Sequence, residues 1–284
     1  MIISKNISLK EFTTIKIGGK AKKIYFPENI SDINNLADIS KKARTLILGK
    51  GSNIAFKDYG YADDIISFKY FDRKGLYLLD NKYISVTAGI SCSRLAKFCN
   101  KRLIPGFEFL HGIPGTVGGA LAMNAGAFKQ EIWNHVHSVT FVNKKGNVES
   151  LPKKNFVTSY RKVDKSSVAM FIQVNLIINR NIKFDKNLLN SYSEMRVRTQ
   201  PINQNSSGCI FRNPTKGYSA SLLIDKLNIK SKRIGGIYIS AKHCNYFIND
   251  GSGTCNDLEN LIRYVKNRIK KEFNISLKKE ICIY

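Results

Sequence analysis

Three stretches of this chain carry residue types and spacings that could do chemistry. The first is Ser206-Ser207-Gly208-Cys209-Ile210-Phe211-Arg212-Asn213-Pro214, which sets a cysteine in a short polar turn leading into an apolar pair and then Asn-Pro. Taken alone, a cysteine is most often a buried, inert residue; the turn, Arg212 and Pro214 make this one unusual. The second stretch, Leu46–Asn53, is a short apolar strand running into Gly49-Lys50-Gly51-Ser52-Asn53. Glycines let a backbone come close to a phosphate, and successive N–H groups form an anion-binding nest. The stretch lacks the G-K-[ST] ending of a P-loop and the third glycine of a dinucleotide fingerprint. A plain tight turn explains it equally well. The third, Gly112–Ala127, holds five glycines and four alanines but one proline. Such a backbone suits close approach to a flat or phosphorylated cofactor, or a close helix crossing. Two glycine-rich loops about sixty residues apart favour a dinucleotide over a single phosphate.

The elements that must position these stretches alternate between strand and helix patterns from the start, which indicates an α+β or α/β protein. Thr13–Pro27 reads as two short strands around Gly18-Gly19, and Ser31 reads as the N-cap of a helix carrying Ile33, Leu36 and Ala37. A strand at Tyr83–Ile90 leads to Ser91 as the cap of a helix. Strands follow at 137–143, 148–151 and 168–179, with the turn Lys144–Asn147 between the first two. The pattern turns helical near 180–195. Thr254 and Asp257 form a capping-box start for a helix whose face is Leu258, Leu261, Ile262, Val265 and Ile269, and a short strand follows at 280–284.

The chain of 284 residues carries 46 Lys and Arg against 21 Asp and Glu, a net charge of +25. A field of that sign attracts polyanions, and a basic nucleic-acid binder is the reading that rests on charge alone. The lysines are spread along the whole length, however, as compositional bias toward Lys, Asn and Ile also produces, and the aromatics fall mostly in apolar runs. The six cysteines show no C-x-x-C pair and the four histidines no convincing metal spacing, although His135 and His137 could share a strand face. The expectation is therefore no metal and reduced thiols. No secretory leader or membrane-length apolar run is visible, so the expected location is the cytoplasm, without membrane or nucleic-acid partners.

Eight motifs occur in one order from about residue 12 to the end of the sequence. They are TTIKIGG, LGKGSN, IPGTVGGALAMNAGA, SYR, RTQP, SGCIFRNP, IGG with the following IS-AKHCNYFIN, and LKKEI. In this the chain resembles the UDP-N-acetylenolpyruvoylglucosamine reductase (MurB) family, in its shorter form without the extra substrate-covering loop. The resemblance implies an α+β fold. A two-subdomain FAD-binding unit of the vanillyl-alcohol oxidase type would span 1–70 and 71–185, and a C-terminal α+β UDP-sugar-binding domain 186–284. It implies FAD as cofactor, NADPH as co-substrate, and reduction of the enolpyruvyl ether of UDP-N-acetylglucosamine to UDP-N-acetylmuramate by a monomer.

By resemblance, Gly49, Lys50, Gly51, Ser52 and Asn53 contact the FAD pyrophosphate. Gly115, Thr116, Gly118, Gly119, Asn124, Ala125 and Gly126 lie along the rest of the cofactor. Arg161 grips the substrate carboxylate, Glu280 lies near it, and Cys209 stands where most relatives place a serine that protonates the enolate. Tyr160, Arg212 and Asn213 are substrate contacts, with Lys242 and Tyr246 as further candidates, and Leu222 replaces a lysine of many short forms. A thiol near pKa 8.5 is a far stronger acid than an aliphatic hydroxyl, provided that neighbouring arginines do not hold it as thiolate.

Overall fold

The computed structural model describes every residue but Ala43, Thr215 and Lys216. The chain divides into two compact units: Met1–Lys5, Lys23–Lys50 and Asp63–Met195 form one, and Asn6–Lys22, Gly51–Ala62 and Arg196–Tyr284 the other.

In the first unit, helix α1 (Ile30–Ser40) begins two residues earlier than its serine suggests. Asn29, not Ser31, is the cap, because its Oδ1 accepts from the N–H of Asp32 at 3.0 Å and from the Ser31 hydroxyl at 2.6 Å. Ile33 and Leu36 then point inward and pack with Tyr25, Ile66, Phe68, Phe71, Met170 and Ile172. The strand Leu46–Leu48 runs parallel to Tyr61–Ser67, pairing Leu46 with Ile65 and Leu48 with Ser67, and so delivers the chain to Gly49.

A five-stranded antiparallel sheet follows, in the order Val148–Pro152, Val136–Asn143, Val168–Ile177, Tyr83–Thr87 and Leu76–Leu78. The ten-residue run Val168–Ile177, a strand as expected, is the central one of the five. Helix α2 (Cys92–Lys101) starts at Ser91, whose hydroxyl accepts from the Arg94 N–H at 3.2 Å. Helix α3 (Val117–Met123) starts at Thr116 in the same manner, with the Gly119 N–H donating at 3.2 Å. Leu95, Cys99, Val117, Leu121, Trp133 and Phe141 are among the buried residues of this core.

His135 precedes the strand Val136–Asn143, not within it, and is buried while His137 is exposed, so the two do not share a face. Its imidazole lies 4.8 Å from the Phe107 ring and 5.8 Å from that of Phe109. Burial, helped slightly by Lys153, pulls its pKa from 6.5 down to about 4. Above pH 6.5 the neutral ring costs nothing. As pH falls from 6.5 toward 4 the unfolded chain takes a proton that the native one refuses, and stability is lost. We expect acidification from pH 7 to 4.5 to remove about 2 to 3 kcal/mol through this residue. Urea midpoints of the native protein and His135→Gln at both pH values check this; equal losses in the two proteins would contradict it.

The second unit is built around helix α6 (Cys255–Phe273). Its capping box has both bonds, with the Thr254 hydroxyl accepting from the Asp257 N–H at 3.0 Å and the Asp257 carboxylate from the Thr254 N–H at 3.0 Å. Leu258, Leu261, Ile262, Val265 and Ile269 are all buried, as their spacing foretells. They meet Leu223 and Ile224 of helix α5 (Ala220–Lys226) and the sheet Arg233–Ile234, Ile237–Ile239, Phe247–Asn249.

Ile15 and Ile17 join this core, fully buried, but Thr13–Ile17 is not the strand that its alternation suggests. The Thr13 hydroxyl both accepts from the Ile17 N–H and donates to its carbonyl, each at 3.2 Å, and Lys16 takes a φ of 58°, so the segment closes on itself as a turn. The strand Ile54–Ala55 pairs in parallel with Cys282–Ile283, the short final strand.

Candidate active site

The glycine turn that opens the site is fixed by packing. Gly51 has a φ of 63°, and a Cβ there would lie 1.9 Å from the Phe12 carbonyl oxygen. A Cβ on Gly49 would lie 2.6 Å from the Thr116 hydroxyl, so the turn and the start of α3 approach with no room for a side chain. Among the described residues, the backbone N–H groups of Lys50, Gly51, Ser52 and Asn53 have no acceptor from this chain. Four consecutive donors of this kind, one next to a left-handed glycine, make an anion-binding concavity. The Asn53 side chain is otherwise engaged: its Nδ2 donates to the Glu280 carbonyl at 3.1 Å.

The second glycine stretch is more committed. The N–H groups of Val117 and Gly118 donate to the carbonyls of Ile90 and Ala88 at 2.8 and 3.0 Å, and that of Gly119 goes to the Thr116 hydroxyl. Gly118 sits against Ala88, its would-be Cβ 2.8 Å from that of Ala88. Gly119 is exposed, and a Cβ there would meet only the Thr116 hydroxyl at 3.6 Å. The N–H groups of Gly118 and Gly119 are thus engaged within the chain, and Gly119 leaves an open face.

Asn124 ends α3 at a φ of 45° and is buried. Its Nδ2 donates to Glu131 at 2.7 Å and to the Ser159 carbonyl at 3.0 Å, while its Oδ1 is buried with no partner among the described residues. Arg161 is at the tip of the hairpin formed by Thr158–Ser159 and Lys162–Val163, at a φ of 55°. A non-glycine residue in that region costs about 1 kcal/mol or more, and such strain gathers at functional sites. The guanidinium spans the Asn124 and Gly126 carbonyls at 3.3 and 2.7 Å and lies 5.2 Å from the Tyr160 ring. Arg161, Tyr160, Asn124, Ala125 and Gly126 are thus one local assembly. Tyr160 is half-exposed at its centre.

In the second unit the segment Cys209–Arg212 lies between two others. Cys209 pairs as an isolated antiparallel bridge with Tyr246, and the Ile210 N–H donates to the Asn245 carbonyl at 2.9 Å. On its other side, the Ile210 carbonyl accepts from the Glu280 N–H at 2.8 Å, and the Arg212 N–H donates to the Lys278 carbonyl at 2.9 Å. The Asn245 side chain holds the middle, donating to the Phe211 carbonyl at 2.8 Å and accepting from its N–H at 2.9 Å. Cys209 and Glu280 are both half-buried.

Tyr246 gathers the group: its hydroxyl is held by a side-chain hydrogen bond from Arg196, and Cys209 and Glu280 act on it electrostatically. Burial first, and then Cys209, pushes the Tyr246 phenol well above its usual range. The His243 ring lies 4.7 Å from that of Tyr246, and burial lowers its pKa.

The remaining candidates take separate places. Asn213 is exposed, with its Oδ1 accepting from the Ala220 N–H at 3.0 Å. The Arg212 Nε is buried without a partner among the described residues. Lys242 donates through Nζ to the Val197 carbonyl, and Leu222 is exposed on α5.

Arg196 is the residue that sequence reasoning missed. It lies on helix α4 (Leu188–Thr199), seven residues after Leu189, and both are 8 % exposed. An arginine in register with the buried stripe of a helix is the signal that pointed to it.

Each unit by itself offers groups that suit a dinucleotide: an open face at Gly119 and the buried Asn124 Oδ1 in the first, and the backbone N–H donors of Gly51–Asn53 in the second. Residues 21–151 match the family described as FAD binding domain, and residues 200–284 the C-terminal domain of UDP-N-acetylenolpyruvoylglucosamine reductase. The chain is 36% identical over 283 residues to the UDP-N-acetylenolpyruvoylglucosamine reductase of Orientia tsutsugamushi (strain Ikeda), covering 98% of this chain and 93% of that one. It is 35% identical over 281 residues to that of Legionella pneumophila (strain Corby), covering 98% and 91%. The crystal structure of UDP-N-acetylenolpyruvylglucosamine reductase (MurB) from Thermus caldophilus superposes with a TM-score of 0.81 at 27% identity, covering 100% of this chain and 99% of that one. With family matches in both parts of the sequence and relatives that align over nearly all of it, this chain belongs to the UDP-N-acetylenolpyruvoylglucosamine reductase family, FAD-dependent oxidoreductases of peptidoglycan precursor synthesis.

Proposed function

We propose that this chain reduces the enolpyruvyl ether of UDP-N-acetylglucosamine to UDP-N-acetylmuramate with NADPH as the electron source. The observation that carries the reading is the cluster of Cys209, Tyr246, Arg196 and Glu280 in the second unit, a thiol acid beside a carboxyl group and a buried cation. Bound FAD would supply hydride transfer from NADPH to the terminal vinyl carbon. Residues 1–70 and 71–185 would hold it, through Gly49, Lys50, Gly51, Ser52 and Asn53 at the pyrophosphate and Gly115, Thr116, Gly118, Gly119, Asn124, Ala125 and Gly126 elsewhere. Residues 186–284 would hold the UDP-sugar.

The protein groups handle charge and protons. Addition of hydride leaves negative charge on the carbon next to the carboxylate, which calls for cationic or hydrogen-bonding groups and then a proton. Arg161 has five N–H donors, of which its two carbonyl bonds fix the orientation, and it grips the substrate carboxylate with others. Cys209 supplies the proton: its S–H bond breaks, a C–H bond forms, and a thiolate remains. Glu280, close to the same carboxylate, must hold a proton or share a hydrogen bond to avoid like-charge repulsion. Tyr160, Arg212 and Asn213 contact substrate. The protein works as a cytoplasmic monomer on two small molecules.

The test is NADPH oxidation by the purified protein with and without the enolpyruvyl UDP-sugar. A yellow protein whose NADPH consumption depends on the sugar is expected. A colourless protein that takes up no added FAD, or consumption indifferent to the sugar, would overturn the reading.

A further inference from the structure

The first unit holds a cavity of about 740 Å³ whose wall contains none of the residues assigned above to flavin or sugar, and no carboxylate. Lys82, Arg180, Gln130 and Asn134 give it polar surface, and Ile177 and Ile182 apolar surface. The Arg180 Nε donates to the Asn81 carbonyl at 3.3 Å, which orients the guanidinium. Its other N–H groups and the Lys82 ammonium have no partner among the described residues, and both side chains are exposed.

A smaller cavity of about 80 Å³ adjoins the first, sharing Gln130 and Ile182 with it. Here the buried charge is negative. Glu108 lines this chamber and is only 3 % exposed. Its Oε2 accepts from the Gly106 N–H at 2.8 Å, while Oε1 is buried with no partner among the described residues. Phe109 and Tyr192 are on the same wall. The Tyr192 phenol feels the charge of Glu108, and its ring is stacked on Phe128 with centroids 3.7 Å apart. Lys183 is also on the wall, but it is exposed and makes no ion pair among the described residues.

Buried carboxylate oxygens are ordinarily matched by donors. A carboxylate set among aromatic rings suits an ammonium group, whose N–H donors satisfy the oxygen while its charge meets the rings. The larger cavity calls for the opposite, an anionic group for Lys82 and Arg180. A small zwitterion meets both demands at once. We propose that the two adjoining cavities bind a free α-amino acid with an apolar side chain, its ammonium group on Glu108, its carboxylate toward Lys82 and Arg180, and its side chain against Ile177 and Ile182. The inference stands apart from the reaction proposed above and does not depend on it.

Isothermal titration calorimetry of the FAD-loaded protein at neutral pH, with no sugar or NADPH present, tests this with three probes. L-leucine carries both charges, isopentylamine is leucine without its carboxylate, and isocaproate is leucine without its ammonium group. Leucine should bind saturably with a Kd on the order of 1 mM, and each half at least about tenfold more weakly, since each forfeits one charge-assisted contact. Glu108→Gln should weaken leucine and the amine about tenfold and leave isocaproate unchanged. Lys82→Ala combined with Arg180→Ala, both exposed positions, should do the converse, and it keeps the comparison readable if Glu108→Gln does not fold. A merely structural role for these residues would weaken both halves alike. Leucine that fails to bind saturably, halves that match it, or variants that affect both halves alike would overturn the proposal. So would binding seen only in Lys183→Met, which would make Lys183 itself the occupant of the small chamber.

Discussion

Cys209→Ala is expected to accept electrons from NADPH at an undiminished rate and to lose about 10²- to 10⁴-fold in turnover of the enolpyruvyl sugar, the span typical of a removed general acid. Stopped-flow separates the two halves: bleaching of the flavin absorbance by NADPH, then its return on addition of the sugar. Only the second should slow. Cys209→Ser should keep appreciable turnover, since a hydroxyl at the same bridge position can still carry a proton. Full activity in the alanine variant would put the donor elsewhere. The asymmetry is what tests the assignment, because a change that merely loosened the fold would affect both halves. The setting argues against such loosening, since the segment is anchored by backbone bonds of Ile210 and Arg212 and by Asn245, none of which involve the thiol.

The second large effect concerns Gly51→Ala. The added methyl would be placed 1.9 Å from the Phe12 carbonyl oxygen, on a residue whose φ of 63° already disfavours a side chain. The left-handed conformation costs about 1 to 3 kcal/mol for a non-glycine residue, and relief of the clash roughly as much again. Against a total stability of about 5 to 15 kcal/mol this is a large fraction. The variant should show a lower denaturant midpoint and, because the clash pushes on the N–H groups of Lys50–Asn53, a fall in FAD content of the folded fraction. A Gly51→Ala protein with native midpoint and full flavin would refute both the strain and the cofactor assignment of the turn.

The parts of the fold that sequence made legible share one property: their determinants are local. The α6 capping box needs Thr254 and Asp257 three residues apart, its buried face repeats with the helix, and the apolar run within 168–179 reads as a strand. Readings failed where a side chain competed with the backbone. Thr13 turns an alternating stretch into a closed turn, and Asn29 takes the cap from Ser31. The hydrogen-bond partners of the glycine-rich stretches were not legible. Gly118 was visible as a small residue of a glycine-rich stretch, but its N–H belongs to Ala88, thirty residues away, which no local pattern reveals. Arg196 was hidden by being an arginine in a basic chain; only its register with a buried leucine sets it apart.

The Asn53–Glu280 bond joins residues 227 apart in sequence, and the parallel pairing of Ile54–Ala55 with Cys282–Ile283 is as distant. During synthesis at about 5 to 20 residues per second, the strand after the glycine turn waits on the order of 10 to 45 s for its partner. Until then it is an open, apolar strand edge, the kind that recruits other chains. A chain lacking residues 280–284 loses both the Asn53–Glu280 bond and this strand pairing. Glu280 is then both a candidate active-site group and part of the last stitch of the fold.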